Sequence, residues 1–137
     1  MATEILVNDG GAPARVMNLA LANADLTAGL VVDINASGKI IAAADDQTGG
    51  TSVAQAVALG VLLVDATEGD PTSIVTGKGI VCNVQSVAGL TVGEELVVDN
   101  AGKLEHSANL ETDRIFAIAL DSTFSADSLN YTKVLII

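Results

Sequence analysis

The chain has 137 residues, half of them hydrophobic, and a net charge of −11 from 17 acidic and 6 basic residues. That length can bury roughly 65–70% of its unfolded surface, enough for one domain without a disulfide or metal staple, and the acidity repels phosphate backbones, which argues against nucleic acid as a partner. One histidine and one cysteine cannot assemble a zinc site of nitrogen and sulfur ligands within a single chain.

Taken from the N-terminus, residues 3–8 read as a short strand, and Asp9-Gly10-Gly11-Ala12-Pro13 as a turn. Residues 14–22 alternate well enough to predict the return strand, although Ala, Arg, Met and Leu are also good helix formers. Strand Leu30–Ile34 follows, turned back by Ala36-Ser37-Gly38 into Lys39–Ala43. Residues 45–51 form a polar, glycine-rich loop, and Ser52–Leu59 fits a short helix capped by Ser52 and ended by Gly60. Val61–Val64 reads as a buried strand and Asp65–Pro71 as an acidic surface turn. Ser73–Thr76 and Ile80–Gln85 flank Gly77-Lys78-Gly79 as a pair of strands. Glu95–Asp99 and Lys103–Glu105 flank the turn Asn100-Ala101-Gly102, and residues 106–113 are polar loop. Arg114–Leu120 and Thr132–Ile137 close the chain, joined by the connection Asp121–Asn130. Many short strands between turn residues predict an all-β domain, a small β-sandwich or barrel with at most one or two short helices.

One phrase occurs twice. Residues 26–40 read LTAGLVVDINASGKI and residues 90–104 read LTVGEELVVDNAGKL. With small gaps, both run Leu-Thr-x-Gly, Val-Val-Asp, a turn, then Lys and an apolar residue. Two further echoes pair GVLLVDAT at 60–67 with AIALDST at 117–123, and TGKGIV at 76–81 with TKVLII at 132–137. A single domain over residues 1–137 is therefore expected, with an N-terminal arm or hairpin over 1–25 and related halves over 26–88 and 89–137.

Few residues invite chemistry. Gly77-Lys78 lacks the glycine spacing of a phosphate-binding loop, and Gly79 stands where Ser or Thr is needed, so a hairpin turn is expected. His106 lies in a polar turn, and no Gly-x-Ser-x-Gly elbow accompanies it. The acidic pairs Asp45-Asp46 and Glu68/Asp70 do not match a calcium loop, while Asp33, Asp65, Asp99 and Asp121 are placed to cap turns. Cys82, in the run Ile80-Val81-Cys82, reads as a small buried hydrophobe. No catalytic, metal-binding or cofactor-binding residue is expected, and the protein reads as a non-enzyme without cofactors. The longest apolar stretch, Ala56–Val64, is far shorter than the ~20 residues of a membrane span, and the N-terminus has no basic leader. Membrane is thus not expected as a partner. With only Phe116, Phe124 and Tyr131 aromatic, the core must be aliphatic, and such aliphatic content favours burial against other subunits.

The order of these pieces resembles the small capsid decoration (cement) proteins of tailed bacteriophages. The matching features are Ile5 to Gly11, Leu-Thr-x-Gly-x-Val-Val-Asp with Gly-Lys, Ala58-Leu59-Gly60-Val61, Thr76-Gly77-Lys78-Gly79-Ile80-Val81, and Leu90 to Asp99 with Gly102-Lys103. Arg114-Ile115-Phe116-Ala117-Ile118-Ala119-Leu120 before an apolar C-terminal strand completes the likeness, which spans residues 3–137. The resemblance implies a β-rich protomer, made in the host cytoplasm and seated on the outer capsid surface of the virion. It also implies a homotrimer, partnered by the major capsid protein. Segment 1–13, with strand character at Ile5–Val7, is the expected capsid-contacting arm, and Thr3, Glu4, Ile5, Leu6 and Val7 are its candidate contact residues. The same segment could instead close the protein's own sheet. The competing function is a phage tail- or fibre-associated or surface β-domain that binds a host glycan or protein.

Overall fold

The computed structural model describes residues 4–8, 14–43, 58–99, 101–107, 115–126 and 128–137. The expected helix at 52–59 and the acidic pair Asp45-Asp46 fall largely or wholly outside them, and the described residues contain strands and turns but no helix. In chain order the strands are β1 (Leu6–Asn8), β2 (Arg15–Leu21), β3 (Val31–Ile34), β4 (Ile40–Ala42), β5 (Gly60–Leu62) and β6 (Pro71–Thr76). They continue with β7 (Val81–Gln85), β8 (Glu95–Val98), β9 (Leu104–His106), β10 (Ala117–Ala119), β11 (Phe124–Ala126) and β12 (Leu129–Ile136). Segment 14–22 is thus a strand. Pro71 opens β6 rather than ending a turn, a position where its missing N–H is tolerated.

Two antiparallel sheets form a β-sandwich that is not closed into a barrel. One has the order β2-β6-β5-β3-β4; the other runs β1-β7-β12-β10-β8-β9, with β11 paired to β12. With β1 and β11 set aside, the two orders are the same arrangement used twice: β2 corresponds to β7, β3 to β8, β4 to β9, β5 to β10 and β6 to β12. The sheets meet at the Gly77-Lys78-Gly79 turn, so the first unit includes β2 and the second includes β7.

Equivalent hydrogen bonds fix the phase of the repeat. Gly29 N–H donates to Leu62 O, as Gly93 does to Ala119 O; Ala43 donates to Val31 O, as Ser107 does to Glu95 O. Single parallel bridges at one corner of each sheet, Ala22 with Ile40 and Ser86 with Leu104, agree. Residues 21–40 therefore map onto 85–104 without a gap, at a constant step of 64. This differs from the gapped sequence match. Asn35, not Asp33, is the counterpart of Asp99: Asn35 Oδ1 accepts from Ser37 and Lys39 N–H, and Asp99 Oδ1 accepts from Ala101 and Lys103 N–H. The side-chain oxygen, of an amide in Asn35 and a carboxylate in Asp99, mimics a backbone acceptor in both turns. In β6 and β12 the step is 60, so Thr72 matches Thr132, and the TGKGIV/TKVLII echo is not a structural equivalence. A register shift between Leu19 and Leu21 puts a bulge in β2 that β7 lacks.

The sheets stack in the same direction rather than facing each other. Val31, Val61 and Val75 lie side by side and join one core cluster with Cys82, Val84, Leu96, Leu104 and Val134 of the other sheet. On the opposite face, Val32, Ile40, Leu62 and Ile74 form a second cluster with Ala22, Leu26, Leu30 and Ala66. Val32 and Ile40 are the counterparts of Leu96 and Leu104, yet they sit in different cores. The second unit thus lays its inner face on the outer face of the first. Strand β3 is buried on both sides at Val31 and Val32, which is why it opens on adjacent apolar residues rather than alternating.

The connection expected over 121–130 contains β11 and the start of β12, paired as a hairpin from Phe124↔Tyr131 to Ala126↔Leu129. Its turn holds Ser128 at φ 68°, a conformation that the residue type does not advertise.

Candidate functional site

Of the expected contact residues, Thr3 lies outside the described residues. Glu4 is exposed, Ile5 is only 4% exposed within the main core, Leu6 packs against that core, and Val7 is 42% exposed. Strand β1 pairs with β7 through Leu6↔Cys82 and Asn8↔Val81. Asn83 reinforces it, donating its N–H to Ile5 O at 2.8 Å and its Nδ2 to Glu4 O at 2.8 Å. The segment is therefore an edge strand of the protein's own sheet. Among the described residues no strand pairs with its other edge, and the Val7 side chain is exposed, the geometry from which a strand can be extended by a partner.

The acidic side chains mostly hold turns. Asp65 Oδ1 accepts Ala28 N–H at 2.7 Å, Asp25 Oδ1 accepts Glu68 N–H at 2.9 Å, and Asp70 Oδ2 accepts Thr67 N–H at 3.2 Å. Asp33 and Asp121 each accept the N–H of the next residue. His106 and Ser107 line an open depression of about 360 Å³ with Gly93, Glu94 and Glu95. Glu94 Oε1 accepts the Thr91 hydroxyl at 2.9 Å, and Oε2 is buried with no hydrogen-bond partner among the described residues. Among the described residues no three His, Cys, Asp or Glu side chains converge as a metal ion requires.

The most elaborate polar contact joins the two units, and sequence reasoning missed it. Gln85 is buried at the end of β7; its Nε2 donates to Thr27 Oγ1 at 2.6 Å and to Ala28 O at 2.9 Å. Tyr131 Oη donates to the same Ala28 carbonyl at 3.2 Å, and Gln85 N–H donates to Gly29 O at 2.8 Å. The corner Thr27-Ala28-Gly29 of one unit is thus gripped by Gln85 and Tyr131 of the other. A glutamine ending an apolar strand was the available signal.

Cys82 is fully buried between β1 and β12, and burial pushes its thiol up to about 11 from 9.0. A thiol-selective reagent should leave the native protein unlabelled and react with the denatured chain; rapid native labelling would contradict the packing. The raised pKa also sets a pH dependence. Between about pH 9 and 11 the unfolded thiol ionises while the folded thiol stays protonated, so folding stability falls as pH rises through that window. At ~1.4 kcal/mol per pH unit the loss approaches about 2–3 kcal/mol. Cys82→Ala should flatten that alkaline limb in urea titrations, and an unchanged slope would assign it to another group.

Neither a protein-family model nor a curated protein matches the sequence. Among solved structures, the fold is similar to that of the head fiber gp8.5 N base of bacteriophage phi29. The match has a TM-score of 0.62 and 17% sequence identity, and covers 91% of this chain and 95% of that one. The two share a fold over nearly their whole lengths.

Proposed function

We propose that this chain is a structural, non-enzymatic protein of a tailed-phage head. It is a decoration (cement) protein, seated as a homotrimer on the outer surface of the mature capsid, where it clamps neighbouring subunits of the major capsid protein. The observation that carries this reading is the near full-length likeness to the base of a phage head fiber, a domain whose name places it on a head. The physics supports it. Stacked sheets tied at their corners make a stiff wedge, and a clamp that touches several coat subunits at once gains its hold through multivalency, so no single contact need be strong. The charge of −11 per chain favours the outside of the shell over the packaged genome.

The same likeness favours a second reading, in which the chain is the base that seats a fibre or tail-associated domain and the bound partner is a host glycan or protein. The aromatic residues weigh against glycan binding. Tyr131 is buried and stacked on Phe124 at 6.1 Å and Phe116 is half-buried, which leaves Phe124 alone of the three rings exposed to a sugar.

The copy number in purified virions, measured against the major capsid protein, separates the two. Hundreds of copies at a fixed ratio to coat support a cement; a handful per particle supports a fibre or tail base; none removes the phage-head role. For the contact itself, Val7→Glu should leave the fold intact and abolish binding to capsids stripped of the protein. Deleting residues 2–8 is a poorer test, because it takes Ile5 out of the core. Retained binding by Val7→Glu would move the contact away from β1.

A further inference from the structure

The internal repeat leaves one docking corner used and one unused. Within the chain, Gln85 and Tyr131 of the second unit grip Thr27-Ala28-Gly29 of the first. Leu63, next to the Leu62 whose carbonyl accepts Gly29 N–H, packs partly buried against the main core. The counterpart corner in the second unit is Thr91-Val92-Gly93 with Leu120. No described residue covers it: Val92 is 65% exposed, Leu120 is 42% exposed, and the space around Gly93 is open, whereas a Cβ on Gly29 would lie 2.7 Å from the Tyr131 ring. The counterparts of Gln85 and Tyr131 in the first unit are Leu21 and Pro71, which pair with each other as Gln85 pairs with Tyr131. Both are exposed, Leu21 by 45%.

The substitutions match across these two vacant surfaces. Where the internal contact sets a glutamine amide and a tyrosine against a hydroxyl, a carbonyl and Ala28, the vacant pair offers Leu21 and Pro71 on one side and Val92 and Leu120 on the other. Thr91 donates its hydroxyl to Glu94, whereas Thr27 accepts from Gln85, and a leucine at position 21 has no amide to donate to either. Single exposed apolar residues are ordinary. Here they fall at the two places that the molecule's own architecture sets against each other.

We propose that copies of this chain join head to tail through these corners alone, with Leu21 and Pro71 of one copy against Val92 and Leu120 of the next; the sheet faces take no part, because Val32, Ile40, Leu62 and Ile74, the counterparts of the second unit's docking face, are already buried. The interface is heterologous, so it closes into a ring if the rotation per copy allows. This rests on the self-association proposed above and names the surfaces that make it; it does not depend on the phage role.

The test uses two variants of the full chain, Val92→Glu and Leu21→Glu, followed by sedimentation across a concentration series. Wild type should assemble, and each variant alone should remain at the 13.8 kDa of one chain. An equimolar mixture should give a species of twice that mass, because one intact corner and one intact knob remain. A wild type that stays monomeric overturns both this proposal and the self-association. Variants that assemble like wild type, or a mixture that stays monomeric, overturn the head-to-tail interface while leaving self-association standing. Circular dichroism and the thermal midpoint report whether each variant folds, and Leu120→Glu and Pro71→Glu replace either one that does not.

Discussion

Gly102→Ala is expected to destabilise the protein by about 3–5 kcal/mol, whereas Gly38→Ala should cost only about 1–2 kcal/mol. The two glycines occupy the same place in equivalent turns, between β3 and β4 in one unit and between β8 and β9 in the other. Their backbone conformations are nearly identical, with φ of 78° at Gly38 and 75° at Gly102. Both substitutions therefore carry the same penalty for placing a Cβ in the left-handed region. What differs is the neighbour. A Cβ at Gly38 meets nothing within 4 Å, but one at Gly102 would lie 2.7 Å from Val31 O and 3.1 Å from Ala42 Cβ in the other sheet. Val31 also donates its N–H to Gly102 O at 2.9 Å, so the turn cannot back away without breaking that bond. The difference between the two variants, measured by urea denaturation, isolates the packing of one unit on the other. Equal losses would mean that the units are not in contact at this turn.

Much of this architecture is legible in the amino-acid sequence, but unevenly. Turn residues carry the repeat. Leu26-Thr27 and Leu90-Thr91, Gly29 and Gly93, and Gly38-Lys39 and Gly102-Lys103 recur because each turn needs a particular backbone geometry, and few residue types supply it. Strand residues carry less, since Val, Ile and Leu exchange freely on a buried face. That is why aligning Val31-Val32-Asp33 with Val97-Val98-Asp99 looks natural yet slips the phase by two residues. The hairpin at 124–131 stayed hidden because its turn uses Ser128 where a glycine or Asn-Gly would have announced it. For the candidate contact strand, the alternation of Ile5, Leu6 and Val7 predicts a strand. It does not say whether the strand leaves the domain or docks on β7, because that depends on Asn83, nearly eighty residues away. The contact between units was the least legible, resting on one glutamine and one tyrosine far apart in sequence.

Once the gap-free phase is known, Val31 falls opposite Glu95, and this pair yields the second large effect. Across the first sheet Val31, Val61, Val75 and Val16 are register partners; across the second the corresponding row is Glu95, Ile118, Leu135 and Val81. Val31, Val61 and Val75 of the first row are covered by the second unit, with Val16 exposed at its end, so Val31 has no exposure, while Glu95 stands at the surface. Exchanging the two residues in separate variants should therefore have opposite consequences. Val31→Glu loses about 1.5–3 kcal/mol of side-chain burial, and the carboxylate adds several kcal/mol more for a charge without a partner, or titrates to its neutral acid. The sum approaches the ~5–15 kcal/mol that holds a typical domain together, so Val31→Glu should be largely unfolded at neutral pH and partly rescued in mild acid. Glu95→Val should stay within about 0.5 kcal/mol of wild type, as surface changes usually do. The comparison tests the direction of stacking. If the sheets met through equivalent faces, positions 31 and 95 would both be buried or both be exposed, and the two variants would behave alike. A folded Val31→Glu with a urea midpoint near that of Glu95→Val would rule out the same-direction arrangement, and with it the reasoning that leaves the Val92 corner open for another copy.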